Sequence, residues 1–191
     1  MSEALVIPGI TDPNTLVCIA RARTFKQYRL MVENAVARRC PFCTLDPKTN
    51  KVIAENQYWR AWQSPAPEKH TEHHFIIAPK KHCTDTEELG NAEWITLKYI
   101  MTDLRNMYRY QGRGILIRDG DARLSAGTIE HLHIHVMVPD GTGRVESPFY
   151  KGAEAEGESL ARAIVFEKLR KGMPTGDLSP EETLLIKDRI V

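Results

Sequence analysis

His131-Leu132-His133-Ile134-His135-Val136-Met137 sets three histidines in alternation with aliphatic residues, and Val138 carries the apolar run to Pro139. A period of two is the mark of a strand, because successive side chains leave opposite faces of a pleated backbone. His131, His133 and His135 are therefore expected on one face, with Leu132, Ile134 and Val136 packed behind. Same-face neighbours lie about 6.5–7 Å apart, from a rise of about 3.3 Å per residue. One such histidine would be read as an ordinary polar residue on a half-exposed strand. Three in register on a core strand are costly unless each has a polar partner or a metal.

Outward from this stretch the pattern is that of strands around one long helix. Lys51–Glu55 and Tyr58–Trp62 read as antiparallel strands joined by Asn56-Gln57, and His73–Ala78 and Ile115–Arg118 as two more. Between them, Asp85–Tyr110 turns helical. Asp85 and Glu88 form a capping pair, Asn91 marks a second start after Gly90, and Trp94, Leu97, Met101, Leu104 and Tyr108 make an apolar stripe expected in the core. Residues 1–12 read as an irregular arm. One or two helices are expected over Asn14–Arg39 and another over Ala153–Lys171. Ser179-Pro180-Glu181-Glu182 spells an N-cap, a first-turn proline and a capping-box glutamate, opening a last helix that runs to Val191.

Cys40-Pro41-Phe42-Cys43 has two readings. A redox dithiol must open a helix, whose N-terminus lowers the first thiol's pKa. Here Thr44-Leu45-Asp46-Pro47 follows, a turn-forming stretch. The other reading is half of a zinc site, which needs two further ligands.

Together, His131–Met137 and His74-Phe75-Ile76-Ile77-Ala78-Pro79-Lys80-Lys81-His82 resemble the two signature blocks of the histidine-triad proteins, over roughly residues 40–140. The resemblance implies an α+β fold, an antiparallel five-stranded sheet with a long helix, here with helical N- and C-terminal extensions. The expected organisation is one domain over 1–191, with extensions at 1–39 and 149–191 around a core at 40–148. It implies a structural zinc on Cys40, Cys43, His82 and His131. It implies His133 as nucleophile, assisted by His135 and Thr128. It places His74 and Gly127 near phosphate, with Arg144 a candidate beside them. Two positions depart from the family's pattern. Trp62, Gln63 and Ser64 stand where an acidic residue usually grips the ribose, so Trp59 or Trp62 is a candidate for stacking on the base. Arg118 and Asp119 stand where an asparagine is usual. The implied activity is hydrolysis of a dinucleoside polyphosphate or nucleoside phosphoramidate through a nucleotidyl-histidine. The alternatives are a phosphorylase or nucleotidyl transferase, and a non-catalytic nucleotide-binding protein. A homodimer is implied through the long helix and a sheet edge.

Composition narrows the rest. The 191 residues are 42% hydrophobic, enough for one good core and a helical extension. A net charge of +1 gives no electrostatic case for nucleic acid or a membrane. No apolar run approaches the roughly 18 residues of a membrane span, and the N-terminal apolar stretch is too short for a signal peptide. A cytoplasmic location is the expectation, in which four cysteines point to metal or chemistry before disulfides.

Overall fold

The computed structural model describes residues 16–122, 124–125, 127–147 and 153–190. The arm at 1–12, the start at Asn14 and the end at Val191 fall outside them. Two compact units make up the chain, one of residues 1–40, 122–130 and 149–191, the other of residues 41–121 and 131–148.

The second unit is built on five antiparallel strands: β1 (Val52–Glu55), β2 (Trp59–Gln63), β3 (Thr71–Pro79), β4 (Gly114–Arg118) and β5 (His133–Pro139). Their order is β1-β2-β3-β5-β4, which puts the histidine strand inside the sheet, between β3 and β4. The expected α+β fold with a five-stranded antiparallel sheet is what forms. Strand β5 starts at His133, and His131 lies on the approach to it. Register fixes what each face carries. His133 pairs with Arg118, His135 with Leu116 and Ile76, and Ile76 with Trp62. These side chains share one face. Ile134, Val136 and Val138 point the other way and join Trp59, Ala61, Phe75 and Ile77 in a dry core.

Helix α2 (Asn91–Tyr108) closes that core with Leu97, Ile100 and Leu104. Its N-cap is Gly90, whose N–H donates to Glu93 Oε2 at 2.6 Å, so Asn91 is the first helical residue and not the cap. Glu93 faces inward, and its carbonyl accepts from Trp59 Nε1 at 2.8 Å. That contact turns Trp94 outward, leaving it 40% exposed instead of in the core stripe. The Asp85–Glu88 capping box forms on a short 3-10 turn, Thr86–Glu88, ahead of the helix.

The first unit is helical. Helix α1 (Phe25–Val36) is capped by Thr24, follows a 3-10 turn at Ile19–Arg21, and packs on α3 (Ala153–Arg170) through Tyr28 and Phe166. Tyr28 Oη donates to the buried Glu167, which also accepts two bonds from Arg170 at 2.7 Å each. Burial and this carboxylate push the phenol's pKa up. Helix α4 (Pro180–Leu185) opens with the expected capping box from Ser179 and Glu182 and ends at Leu185. Residues 122–130, which precede the histidine strand, group with this unit. Val17 bridges Ile129, Cys18 N–H donates to Thr128 O, and Glu130 N–H donates to Leu16 O. No described helix is long and apolar enough to cross a membrane.

Helix α2 sets a test of this packing. Leu104→Ala deletes a fully buried side chain and is expected to cost about 2–5 kcal/mol of stability. Trp94→Ala, on the outer face, should cost less than about 1 kcal/mol. Urea unfolding of the two variants measures both, and equal losses would contradict the helix orientation.

Candidate functional site

Cys40-Pro41-Phe42-Cys43 forms a turn, not a helix start, so the geometry a redox dithiol needs is missing. No disulfide joins Cys18, Cys40, Cys43 or Cys83. Cys43 Sγ lies 3.4 Å from His82 Nδ1 and 3.6 Å from His131 Nδ1. A tetrahedral zinc with Zn–S of about 2.3 Å and Zn–N of about 2.0–2.1 Å spaces sulfur and nitrogen ligands about 3.5 Å apart. The ligand atoms of Cys40, Cys43, His82 and His131 all lie within 4.8 Å of one another. The tautomers also suit a metal. His131 Nε2 stands 3.1 Å from Pro79 O, so it carries the proton and turns Nδ1, with its lone pair, toward the sulfur. Burial first, then the neighbouring His82 and Arg60, push the His131 pKa down to about 4, keeping the ring neutral at pH 7. The set is compatible with zinc. Cys83, beside His82, is a buried thiol whose pKa burial raises to about 11, so it stays protonated.

The same approach to β5 orients the next histidine. His133 Nδ1–H donates to His131 O at 2.7 Å, which leaves Nε2 unprotonated on the polar face. Burial, with Arg118 and His131 nearby, pushes its pKa down to about 4. A neutral imidazole with a fixed lone pair is a nucleophile. Phe42, carried by the cysteine turn, meets the His133 ring edge-on at 5.2 Å and Trp62 at 5.1 Å. His135 lies next along the strand, its ring centroid 5.0 Å from that of His133. His74, buried on β3, places Nε2 2.8 Å from His135 Nδ1, and Glu68 N–H donates to His74 Nδ1 at 2.9 Å. On the other side, Arg118 Nε reaches His135 Nε2 at 3.2 Å, and its Nη2 donates to Ser147 Oγ at 3.0 Å.

The structure thus gathers His74, His133 and His135 on one face and Cys40, Cys43, His82 and His131 at one spot. Other expected residues fall differently. Trp62 is fully buried under Phe42 and offers no open face for stacking on a base. Its Nε1 has no hydrogen-bond partner. Arg144 is exposed on the loop after β5. Thr128, half-buried, and Gly127, buried, belong to the 122–130 segment of the first unit, where Gly127 N–H donates to Ala122 O. There a Cβ on Gly127 would come within 3.3 Å of the Ala122 methyl. Arg118 stands out as a site residue that sequence reading noted only as a departure. The available signal was a charged residue closing the apolar run Ile115-Leu116-Ile117, but its cross-strand pairing with His133 is visible only in the register.

No family model matches the chain, and no curated protein matches it. Solved structures do. A zinc-bound histidine triad family protein from Mycobacterium smegmatis is 22% identical, with a TM-score of 0.45 over 71% of this chain and 98% of that one. A histidine triad nucleotide-binding protein from Candida albicans is 17% identical, with a TM-score of 0.45 over 71% of this chain and 98% of that one. A Plasmodium falciparum diadenosine triphosphate hydrolase is 18% identical, with a TM-score of 0.42 over 68% of this chain and 82% of that one. Several of the solved structures this chain resembles are described as histidine-triad proteins.

The ligand set predicts one zinc per chain in protein purified without added metal. Elemental analysis checks this, and less than about half an equivalent with a Cys40–Cys43 disulfide would contradict it. Cys43→Ala should lose the metal and several kcal/mol of stability, because binding free energy is folding free energy at such a site.

Proposed function

We propose that this chain is a nucleotide hydrolase of the histidine-triad type, acting on a dinucleoside polyphosphate or a nucleoside phosphoramidate. One observation carries the reading: His133 Nδ1–H is tied to His131 O, so Nε2 presents its lone pair beside His135 on a buried polar face. In this reading Nε2 attacks the phosphorus in line. The bond to the leaving group breaks with its electron pair, and a nucleotidyl-histidine forms. Water then attacks the phosphorus, the P–N bond returns its electrons to Nε2, and the nucleoside monophosphate departs. His135 borders the reacting phosphate. Cys40, Cys43, His82 and His131 would hold a zinc with all four positions filled by protein, and such an ion would brace the approach to β5 without supplying chemistry. Thr128, Gly127 and Arg144 enter as phosphate-side residues on the resemblance alone.

Removing the nucleophile should leave zinc and fold in place, since among these two histidines only His131 has its nitrogen beside Cys43. His133→Ala is expected to lose about three to four decades in kcat on diadenosine tetraphosphate, and His135→Ala less. Activity in His133→Ala within about tenfold of wild type would overturn the assignment. Release of the nucleoside diphosphate only with added phosphate would favour a phosphorylase. No turnover of any nucleotide by the wild type would favour a binding protein.

The chain is further proposed to pair as a homodimer through α2 and the β4 edge. Supporting this, Trp94, Ile95 and Tyr99 are exposed on the helix and Ile115 on the edge strand. Light scattering at micromolar concentration should give twice the chain mass. A value near 21.7 kDa would rule the dimer out.

A further inference from the structure

We infer that the cysteine turn is a redox switch for the proposed nucleophile. A peroxide that joins Cys40 to Cys43 releases the zinc, loosens His131 and stops turnover until the disulfide is reduced. This rests on the reading that His133 attacks a nucleotide phosphoryl and that the four-ligand set holds zinc.

The cysteines differ in reach. Cys18, Cys40 and Cys83 are buried, whereas Cys43 is half-buried. The turn lacks the helix N-terminus that activates a free dithiol. Zinc supplies the activation instead, because it holds its sulfur ligands as thiolates, the form that attacks an oxidant. Cys43 is then the thiolate that a small oxidant meets first. Cys40 stands next to it, since the ligand atoms of the set all lie within 4.8 Å of one another. An accessible thiolate beside a resolving one is what a reversible switch needs.

With hydrogen peroxide the step balances as follows. Cys43 Sγ attacks one oxygen, the O–O bond breaks, and its electron pair leaves as hydroxide. Cys43 is now a sulfenic acid. Cys40 Sγ attacks that sulfur, the S–O bond breaks, and a second hydroxide leaves. The two thiolates have given up two electrons to the peroxide, and each hydroxide takes a proton from solvent to become water. The site has lost both anionic ligands, and zinc dissociates.

The disulfide reaches the nucleophile by two routes. Two sulfurs on one tetrahedral zinc stand about 3.8 Å apart, and a disulfide draws them to about 2.05 Å. The turn between them tightens, and it carries Phe42, whose ring packs edge-on against both His131 and His133. Meanwhile His131 Nδ1, 3.6 Å from Cys43 Sγ, loses the metal it shared with that sulfur. One hold on the His131 residue is gone, and its backbone carbonyl is the acceptor that fixes His133 Nδ1–H. A His133 that changes tautomer puts its proton on Nε2, the atom that must attack.

The test treats reduced, zinc-loaded protein with hydrogen peroxide. It follows released zinc with a colorimetric chelator, the Cys40–Cys43 disulfide by peptide mass, and turnover of diadenosine tetraphosphate. Zinc and disulfide should appear in equal amounts, and turnover should fall about tenfold or more in step with them. A thiol reductant with added zinc should restore it. A disulfide formed with turnover unchanged, zinc retained while turnover falls, or a loss that reductant and zinc do not reverse would each overturn the inference. Cys43→His keeps a four-ligand set but closes no disulfide, so that variant's own turnover should survive the same treatment. A loss there equal to that of wild type would count against the switch. Should the variant lose zinc or fail to fold, the wild-type measurements decide alone. If reduced wild type turns over no nucleotide, the hydrolase reading fails, and nitrogen-15 spectra of the His133 ring judge the switch separately. Its proton should sit on Nδ1 in the zinc form and spread over both nitrogens after oxidation, whereas an unchanged tautomer overturns the coupling.

Discussion

The backbone carbonyl of His131 accepts the Nδ1–H of His133 at 2.7 Å, while its own ring faces Pro79 O with Nε2 and Cys43 Sγ with Nδ1. The carbonyl chooses the tautomer of the next histidine, and the ring fixes where that carbonyl points. A residue held this way on both sides couples the cysteine turn to the nucleophile through one backbone unit. Phe42 adds a second link, because it rides on the same turn and rests on His131, His133 and Trp62. Loosening Cys43 would therefore free both the carbonyl and the ring that covers the polar face.

A sheet can hold this many buried imidazoles only because its two faces divide the labour. Behind β5, Ile134, Val136 and Val138 join Trp59, Phe75, Leu97, Ile100 and Leu104 in a dry core. In front, each histidine has a polar neighbour: His131 has Pro79 O, His133 has His131 O, and His135 lies between His74 and Arg118. The cost of burying these groups is met contact by contact.

Much of this was legible in the sequence, because the signals were local. Period-two alternation gave the face of His133 and His135, and the caps at Asp85–Glu88 and Ser179–Glu182 formed as spelled. The spacing of cysteine turn, His82 and His131 brought four ligand atoms to one place. What escaped depends on pairing across the fold. Helix α2 turned Trp94 outward because Trp59 takes the carbonyl of Glu93, a contact between residues 34 positions apart. Trp62 was lost to stacking because Phe42 covers it. Residues 122–130 group with the helical unit through a bridge from Val17 to Ile129 that no local pattern announces. Arg118 acquired its place only when β4 paired with β5.

The most direct test of the account is whether a nucleotide becomes bonded to His133 during turnover. Mass spectrometry of reactions quenched at neutral pH should find a nucleotidyl adduct on the wild-type peptide that contains His131–Pro139, with fragmentation placing it on His133. The His133→Ala protein should carry none. An adduct on His135 or His131, or one that persists in His133→Ala, would contradict the account.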